Sequence, residues 1–116
     1  MSNDKIEILK TASEYILRLK DGILKTSEYM ESGEYDKGFS LIYPIAKGLS
    51  WLIEVIEKTK DIQKEEIFLD ELNDKLNEIN NAIENEDNVL IGDLFQYELL
   101  PIMENIEEII NESILN

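Results

Sequence analysis

The sequence predicts an all-α protein that folds as an antiparallel four-helix bundle in one domain, residues 1–116. Three observations predict this class. Apolar residues recur three and four positions apart in four long segments, which is the spacing of one face of an α-helix. No segment of useful length alternates apolar and polar residues, as a half-buried strand would. Short polar breaks separate the segments, and short loops favour antiparallel neighbours.

The first helix is predicted at about residues 4–31. Asp4 is a candidate N-cap, and Glu7, three residues later, completes a start that is similar to a capping box. The sequence ESGEYDKG then breaks the helix. Gly33 is the expected C-terminal cap, because glycine tolerates the left-handed conformation. The apolar stripe of this helix consists of Leu9, Ala12, Ile16, Leu19, Ile23, Thr26 and Met30.

The second helix is predicted at about residues 35–60. Pro44 has no N–H to donate to the carbonyl of Ser40, so we expect a kink, or a restart of the helix, at this position. Gly48 and Ser50 would form a patch of small residues opposite the apolar stripe. That stripe is expected to consist of Tyr35, Phe39, Ile42, Ala46, Leu49, Ile53 and Ile56.

The third helix is predicted at about residues 66–85. Its first residue is ambiguous between Glu65 and Asp70, and the Asp70 carboxylate is able to cap a helix. Its apolar residues follow the spacing of a coiled coil: Leu69, Leu72, Leu76, Ile79 and Ile83.

The fourth helix is predicted at about residues 87–113, and it contains both Gly92 and Pro101. Pro101 would leave the carbonyl of Tyr97 without its helical partner, and Gly92 would permit close approach of a neighbouring helix. Either deep burial within a monomer or a homodimer through helix 87–113 would cover its apolar excess. The apolar residues that surround most of this helix are Val89, Leu90, Ile91, Leu94, Phe95, Tyr97, Leu99, Leu100 and Met103.

The net charge is −15, and it is unevenly distributed. Residues 1–60 hold nine Lys or Arg and ten Asp or Glu, whereas residues 61–116 hold two Lys and 16 acids. Such a chain repels nucleic-acid phosphate and anionic membranes, so we expect neither as a partner. A charge-driven interaction would need a basic protein partner. The alternative is a solvated acidic surface that keeps the protein soluble.

The residue types that carry most enzyme chemistry are missing. There is no His and no Cys, so the usual general base, thiol nucleophile and zinc ligands are absent. The five glycines form no phosphate-binding loop motif. Carboxylate sets such as Asp70 with Asp74, or Glu104 with Glu107 and Glu108, more simply face solvent. We therefore expect no enzyme, no cofactor and no metal.

The absence of cysteine and of an apolar N-terminal segment predicts a cytoplasmic location. Abundant Ile and Asn, with a single Arg, suggest an AT-rich bacterial genome.

Glu98 is predicted to lie on an apolar face of the fourth helix. Buried carboxylates need a partner, and the candidates are Arg18, Lys47 and the indole N–H of Trp51. One interpretation is a structural ion pair. The other is a pocket for a cationic or amide-bearing ligand. The candidate binding residues are Glu98, Trp51, Tyr97 and Asp93.

The run SGEYDKGFSLIYPIAKGLSWLIEVI, followed by DELNDKLNEINNAIENEDNVLIGDLFQYELLPIMENI, resembles small uncharacterised all-helical proteins of low-GC Gram-positive bacteria. The resemblance covers about residues 33–110. It supports helix placement and implies no catalytic residue. In size and acidity the chain is also similar to flagellar and secretion chaperones that form short helical bundles.

Two functional hypotheses follow. The first is a non-enzymatic protein-interaction module, chaperone-like or regulatory, whose acidic C-terminal half favours a basic partner. The alternative is a small-ligand binder or a carboxylate-based enzyme centred on Glu98.

Overall fold

Four helices make up the protein, seen in a computed structural model that describes residues 2–115, with side chains described for 4–115. Helix α1 is Ser2–Glu31, α2 is Tyr35–Lys58 and α3 is Asp70–Glu84. The fourth helix is a continuous run of three parts: α4 Asn88–Asp93, a π-helical segment Leu94–Leu99, and α5 Leu100–Ile114. The predicted all-α four-helix bundle is confirmed.

Helix α1 lies at the centre of the helix packing. It packs along α2 on one side and along the fourth helix on the other. Lys20 pairs with Glu107, whereas Met30, ten residues later on α1, approaches Gly92, 15 residues earlier on the fourth helix, so the two helices are antiparallel. The predicted stripe is confirmed, because every member is buried: Leu9, Ala12, Ile16, Leu19, Ile23, Thr26 and Met30.

The turn after α1 is a Schellman motif, which confirms the predicted role of Gly33. Gly33 has φ +80°, its N–H donates to the carbonyl of Met30, and the N–H of Glu34 donates to that of Tyr29. At the other end, α1 begins at Ser2, so Asp4 lies in its first turn instead of at the N-cap.

Helix α2 runs through Pro44 without a restart. Pro44 and Ser40 are both exposed, so the carbonyl that loses its helical partner lies on the solvent side. Among the described residues, α2 is one helix that is long and apolar enough to cross a membrane by length and composition. Core helices of soluble proteins pass the same test, and this one packs on α1.

The predicted stripe of α2 is only partly buried. Leu49 and Ile56 are buried, but Tyr35, Phe39 and Ala46 are exposed. Gly48 is not in a patch opposite the core, because it faces Tyr15 of α1 directly. Glycine permits this close approach, so α1 takes the adjoining face of α2. The residues buried on α2 are Gly38, Ile45, Gly48, Leu49, Leu52, Val55 and Ile56.

Helix α3 begins at Asp70, the later of the two starts considered, and Leu69 instead of Asp70 occupies the N-cap position. Residues 63–69 before it are held in a non-helical connection. The Gln63 side chain donates to the carbonyl of Ile56 and accepts from the N–H of Ile67. Ile67 is buried, and Ser113 Oγ accepts from the N–H of Lys64. These tertiary bonds satisfy backbone groups that a longer helix would otherwise satisfy.

Candidate interaction surfaces

Glu98 does not lie on the apolar face, so that expectation is wrong. Its side chain is 45% exposed, and Oε1 lies 3.3 Å from Nζ of Lys75 on α3. Lys75 also pairs with Glu78 at 3.1 Å. The two carboxylates, Glu78 more strongly than Glu98, raise the pKa of Lys75 above its usual value. The partner is therefore none of the three that were expected.

The π-helical segment explains why helical spacing misplaced Glu98. The N–H of Leu100 donates to the carbonyl of Phe95, five residues back instead of four. This wider turn adds one residue to the helix, so positions after it rotate relative to an ideal α-helix. Leu99, fully buried, takes the core position that Glu98 would occupy in a regular helix. Pro101, which lacks an N–H, follows directly and favours this irregular turn.

Trp51 is on a different helix from the other three candidate residues, Glu98, Tyr97 and Asp93. Trp51 lies between α1 and α2, where its ring contacts that of Tyr15 edge-on at a centroid distance of 5.4 Å. It lines two open grooves there, of about 460 and about 310 Å³. Asp93 is exposed and Tyr97 is 62% exposed. The principal cavities along residues 4–115 are lined by side chains other than Glu98.

One carboxylate that was expected to face solvent is half-buried. Glu107 Oε1 lies 2.7 Å from Nζ of Lys20, and the two side chains are 17% and 24% exposed. This ion pair links α5 to α1. Glu104 and Glu108 are exposed, as are Asp70 and Asp74. Within the described residues, no three Asp or Glu side chains are arranged to hold a metal ion.

Most of the apolar excess of the fourth helix lies in the core. The helix is placed between α1 and α3 and is therefore covered on two sides. Of its apolar residues, Val89, Leu90 and Tyr97 remain substantially exposed. Gly92 fulfils its predicted role, since a Cβ there would lie 3.1 Å from Cβ of Met30. The buried residues are Ile91, Leu94, Phe95, Leu99, Met103, Ile106, Ile109 and Ile110.

An apolar groove opens between α2 and α3, with the fourth helix as its floor. We call it the α2–α3 groove. Its cavity has a volume of about 170 Å³. Phe95 and Leu99 form the floor, and Ser50 and Asn80 are the polar residues of the lining. The apolar walls come from Ile42, Ile45, Ala46, Leu49 and Ile53 on α2 and from Leu76, Ile79 and Ile83 on α3.

The groove adjoins the acidic half of the molecule. Helix α3 and the fourth helix together contain one basic residue, Lys75, and it is already paired with two carboxylates. Exposed carboxylates such as Glu71, Asp74, Glu104 and Glu108 form no ion pair with another described residue. The half of the chain from residue 61 carries 16 acids and two Lys, which produces a strongly negative field.

The apolar stripes of α2 and α3 are the sequence feature from which the groove could have been predicted. Both α2 and α3 carry a coiled-coil-like apolar stripe. The α2 stripe is left partly uncovered because α1 occupies the adjoining face. Two such stripes on helices that flank the same floor leave an apolar channel between them.

A family model described as a domain of unknown function, DUF8042, matches residues 7–109. The match supports the resemblance to an uncharacterised family and covers more of the N-terminal region than the resemblance did. No curated protein and no solved structure matches the chain.

Proposed function

The chain belongs to the DUF8042 family of domains of unknown function, and we propose that it is a non-enzymatic protein-interaction module. Its α2–α3 groove docks an amphipathic segment of a basic protein partner. The observation that carries the proposal is the apolar groove itself, which lies beside the half of the chain with 16 acids and two Lys.

The size of the groove limits what it accepts. A cavity of about 170 Å³ accommodates one large apolar side chain, since an apolar cavity of about 150 Å³ binds benzene. The groove is open along its length between two helices, so the rest of the ligand lies outside it. This geometry suits a helix that inserts one apolar anchor, a common mode of peptide recognition. Ser50 and Asn80 supply hydrogen-bonding groups at the rim.

The negative charge around the groove favours a partner segment with positive charge. Acidic side chains on α3 and the fourth helix attract Lys and Arg and repel acidic segments. Because these carboxylates are exposed, their contribution is mainly to association rate and specificity, and salt weakens it. The apolar anchor supplies most of the affinity.

Site-specific photocrosslinking in the native cell tests the proposal. A photoreactive residue replaces Asn80, which is exposed at the groove rim; the matched control replaces Asn105, which is exposed on α5. We expect adducts at position 80 that are absent at position 105, and the crosslinked segment should carry an apolar residue flanked by Lys or Arg.

A synthetic peptide of the crosslinked segment then gives the affinity. Ile53→Lys in the groove should weaken binding by about tenfold or more, as expected for an interface anchor. Leu24→Lys also replaces an aliphatic residue with lysine, at a 38% exposed position on α1, and should leave binding unchanged. Equal crosslinking at positions 80 and 105, or equal effects of the two lysines, would contradict the proposal.

A further inference from the structure

The outer surface of α2 carries three exposed aromatic residues. Tyr35, Phe39 and Tyr43 are 41%, 38% and 70% exposed. None of them lines the α2–α3 groove. Exposed aromatic residues are enriched at protein interfaces, where they provide large, rigid contact area. We call the exposed surface formed by Tyr35, Asp36, Phe39, Ser40, Tyr43 and Lys47 the α2 outer patch.

Opposite charges mark the two ends of the α2 outer patch. Asp36 lies seven residues before Tyr43, and Lys47 lies four residues after it, so the three form one row along the helix. Both charged residues are exposed, and neither forms an ion pair with another described residue. Lys47 instead places its ammonium over the Tyr43 ring, 5.6 Å from the centroid.

This row is complementary to itself. Asp36 and Lys47 are about three helical turns apart, with their midpoint between Leu41 and Ile42. If two copies of α2 lie antiparallel about a two-fold axis at this midpoint, Asp36 of each copy faces Lys47 of the other. Tyr43 then faces Ser40 of the second copy, and the small serine leaves room for the ring.

We propose that a second copy of this chain docks on the α2 outer patch, in an antiparallel α2–α2 homodimer with two reciprocal Asp36–Lys47 ion pairs. Like-charge repulsion between two chains of net charge −15 opposes most other arrangements. Helix α2 is neutral overall, with three Lys and three acids. It therefore offers the least repulsive approach, and the exposed aromatic residues supply the apolar contact.

Sedimentation equilibrium over a range of protein concentrations measures this association. The expected weight-average mass rises with concentration from that of the 13.5-kDa chain toward twice that value. Asp36→Lys and Lys47→Asp should each weaken the dimer by about tenfold or more, because each replaces two attractive pairs with two repulsive ones. Tyr43→Ser, at a residue outside the core, should also weaken it.

Mixing the two charge variants tests the Asp36–Lys47 pairing most directly. Asp36→Lys and Lys47→Asp are complementary to each other, so an equimolar mixture should form a heterodimer that is tighter than the self-association of either variant. Asp21→Lys and Lys25→Asp make the same charge changes at an exposed ion pair on α1 and should leave the dimer intact. Circular dichroism of each variant confirms that the helices are retained.

A parent chain that stays monomeric at all concentrations, or a dimer that both charge variants leave intact, would overturn this inference. Failure of the mixed variants to associate would also overturn it. The proposed docking of a basic partner is a separate matter, because peptide binding to the α2–α3 groove is measured with Ile53→Lys and does not need the α2 outer patch.

Discussion

Lys75 forms ion pairs with two carboxylates of the acidic surface. Its ammonium lies 3.1 Å from Glu78 on its own helix and 3.3 Å from Glu98 on the fourth helix. A cation that bridges two carboxylates reduces their mutual repulsion and joins the two helices. Because Glu98 is 45% exposed, water also solvates it, and its charge is not stranded in the core. Lys75 thus belongs to the surface electrostatics of the fold and not to a buried site.

Replacing Glu98 with Leu should leave the fold nearly as stable as the parent chain. Lys75 keeps Glu78 as a partner after the change, so no unpaired cation results. Chemical denaturation of Glu98→Leu and of Glu98→Gln should give superimposable curves. Leu99→Ala, one position later and fully buried, should by contrast lose about 2–5 kcal/mol. A loss for Glu98→Leu as large as that for Leu99→Ala would show that Glu98 is a core ion pair after all.

Asp61 provides a prediction about pH. Lys5 Nζ lies 2.8 Å from both carboxylate oxygens of Asp61, and this hydrogen bond lowers the pKa of Asp61 below its usual 3.8. A lowered pKa means that the contact stabilises the folded state at neutral pH, and that this stabilisation is lost as pH falls through the folded-state value.

Carbon-detected NMR titration of the Asp61 carboxyl should show this low pKa, and Lys5→Gln should raise it. An unchanged Asp61 pKa in Lys5→Gln would refute the contact.

Among the elements, the fourth helix departs most from a regular pattern. One row of its buried residues, which runs through the π-helical segment, is spaced 4, 4, 4, 3 and 4 apart: Ile91, Phe95, Leu99, Met103, Ile106 and Ile110. A regular coiled-coil spacing alternates 3 and 4. The one extra residue in the wide turn is what brings both halves of the helix onto the same core.

Removing the extra residue should therefore be tolerated. Deleting the exposed Tyr97, together with Pro101→Ala to restore a helical N–H, gives the core residues alternating spacings of 4 and 3. We expect a cooperative thermal transition followed by circular dichroism. The matched control deletes Asn105 in the same Pro101→Ala background, which rotates the last two turns of the core by about 100°. This control should lose the cooperative transition, and equal behaviour of the two deletions would contradict the account.

The turn between α3 and α4 contains a strained residue. Glu86 has φ +53° in a Schellman-type turn. The N–H of Glu86 donates to the carbonyl of Ile83, and the N–H of Asp87 donates to the carbonyl of Ala82. A left-handed conformation costs a non-glycine residue roughly 1–2 kcal/mol, so Glu86→Gly should raise the free energy of unfolding by about 1 kcal/mol.

Glu84→Gly makes the same charge change in the last turn of α3 and should lower stability by about 1 kcal/mol, since glycine disfavours helix. Urea denaturation compares the two variants, and a loss of stability in Glu86→Gly would contradict the assignment of strain.

The sequence was sufficient to predict the four helices, but it was insufficient to predict which of their faces are covered. Three- and four-residue spacing located all four helices, and Gly33 marked the first turn correctly. Spacing does not tell which of two adjoining apolar faces a neighbour will cover, so the face of α2 was misassigned. Spacing also assumes a regular helix, so the π-helical segment displaced Glu98. Lys75 was not identified as a partner because pairing across helices depends on their relative placement.

At the scale of the whole molecule, net charge is unevenly divided between the two halves of the chain. The near-neutral half, residues 1–60, supplies α1 and the partly uncovered helix α2. The acidic half supplies α3 and the fourth helix. The bundle measures 46 × 22 × 19 Å, and salt screening confines the negative field of the second half to roughly 10 Å from its exposed carboxylates. The α2–α3 groove lies at the junction of the two halves, so the proposed partner would meet apolar side chains and exposed carboxylates there.

Methyl NMR tests most directly whether the α2–α3 groove binds a basic amphipathic segment. The isoleucine δ1 methyl groups report separately on the groove, through Ile42, Ile53, Ile79 and Ile83, and on the opposite core, for example through Ile109. Titration with the crosslinked partner peptide should shift the groove methyl signals and leave Ile109 in place. Shifts confined to Ile8, which lines the groove of about 460 Å³ beside Trp51 between α1 and α2, or no shifts at saturating peptide, would contradict the account.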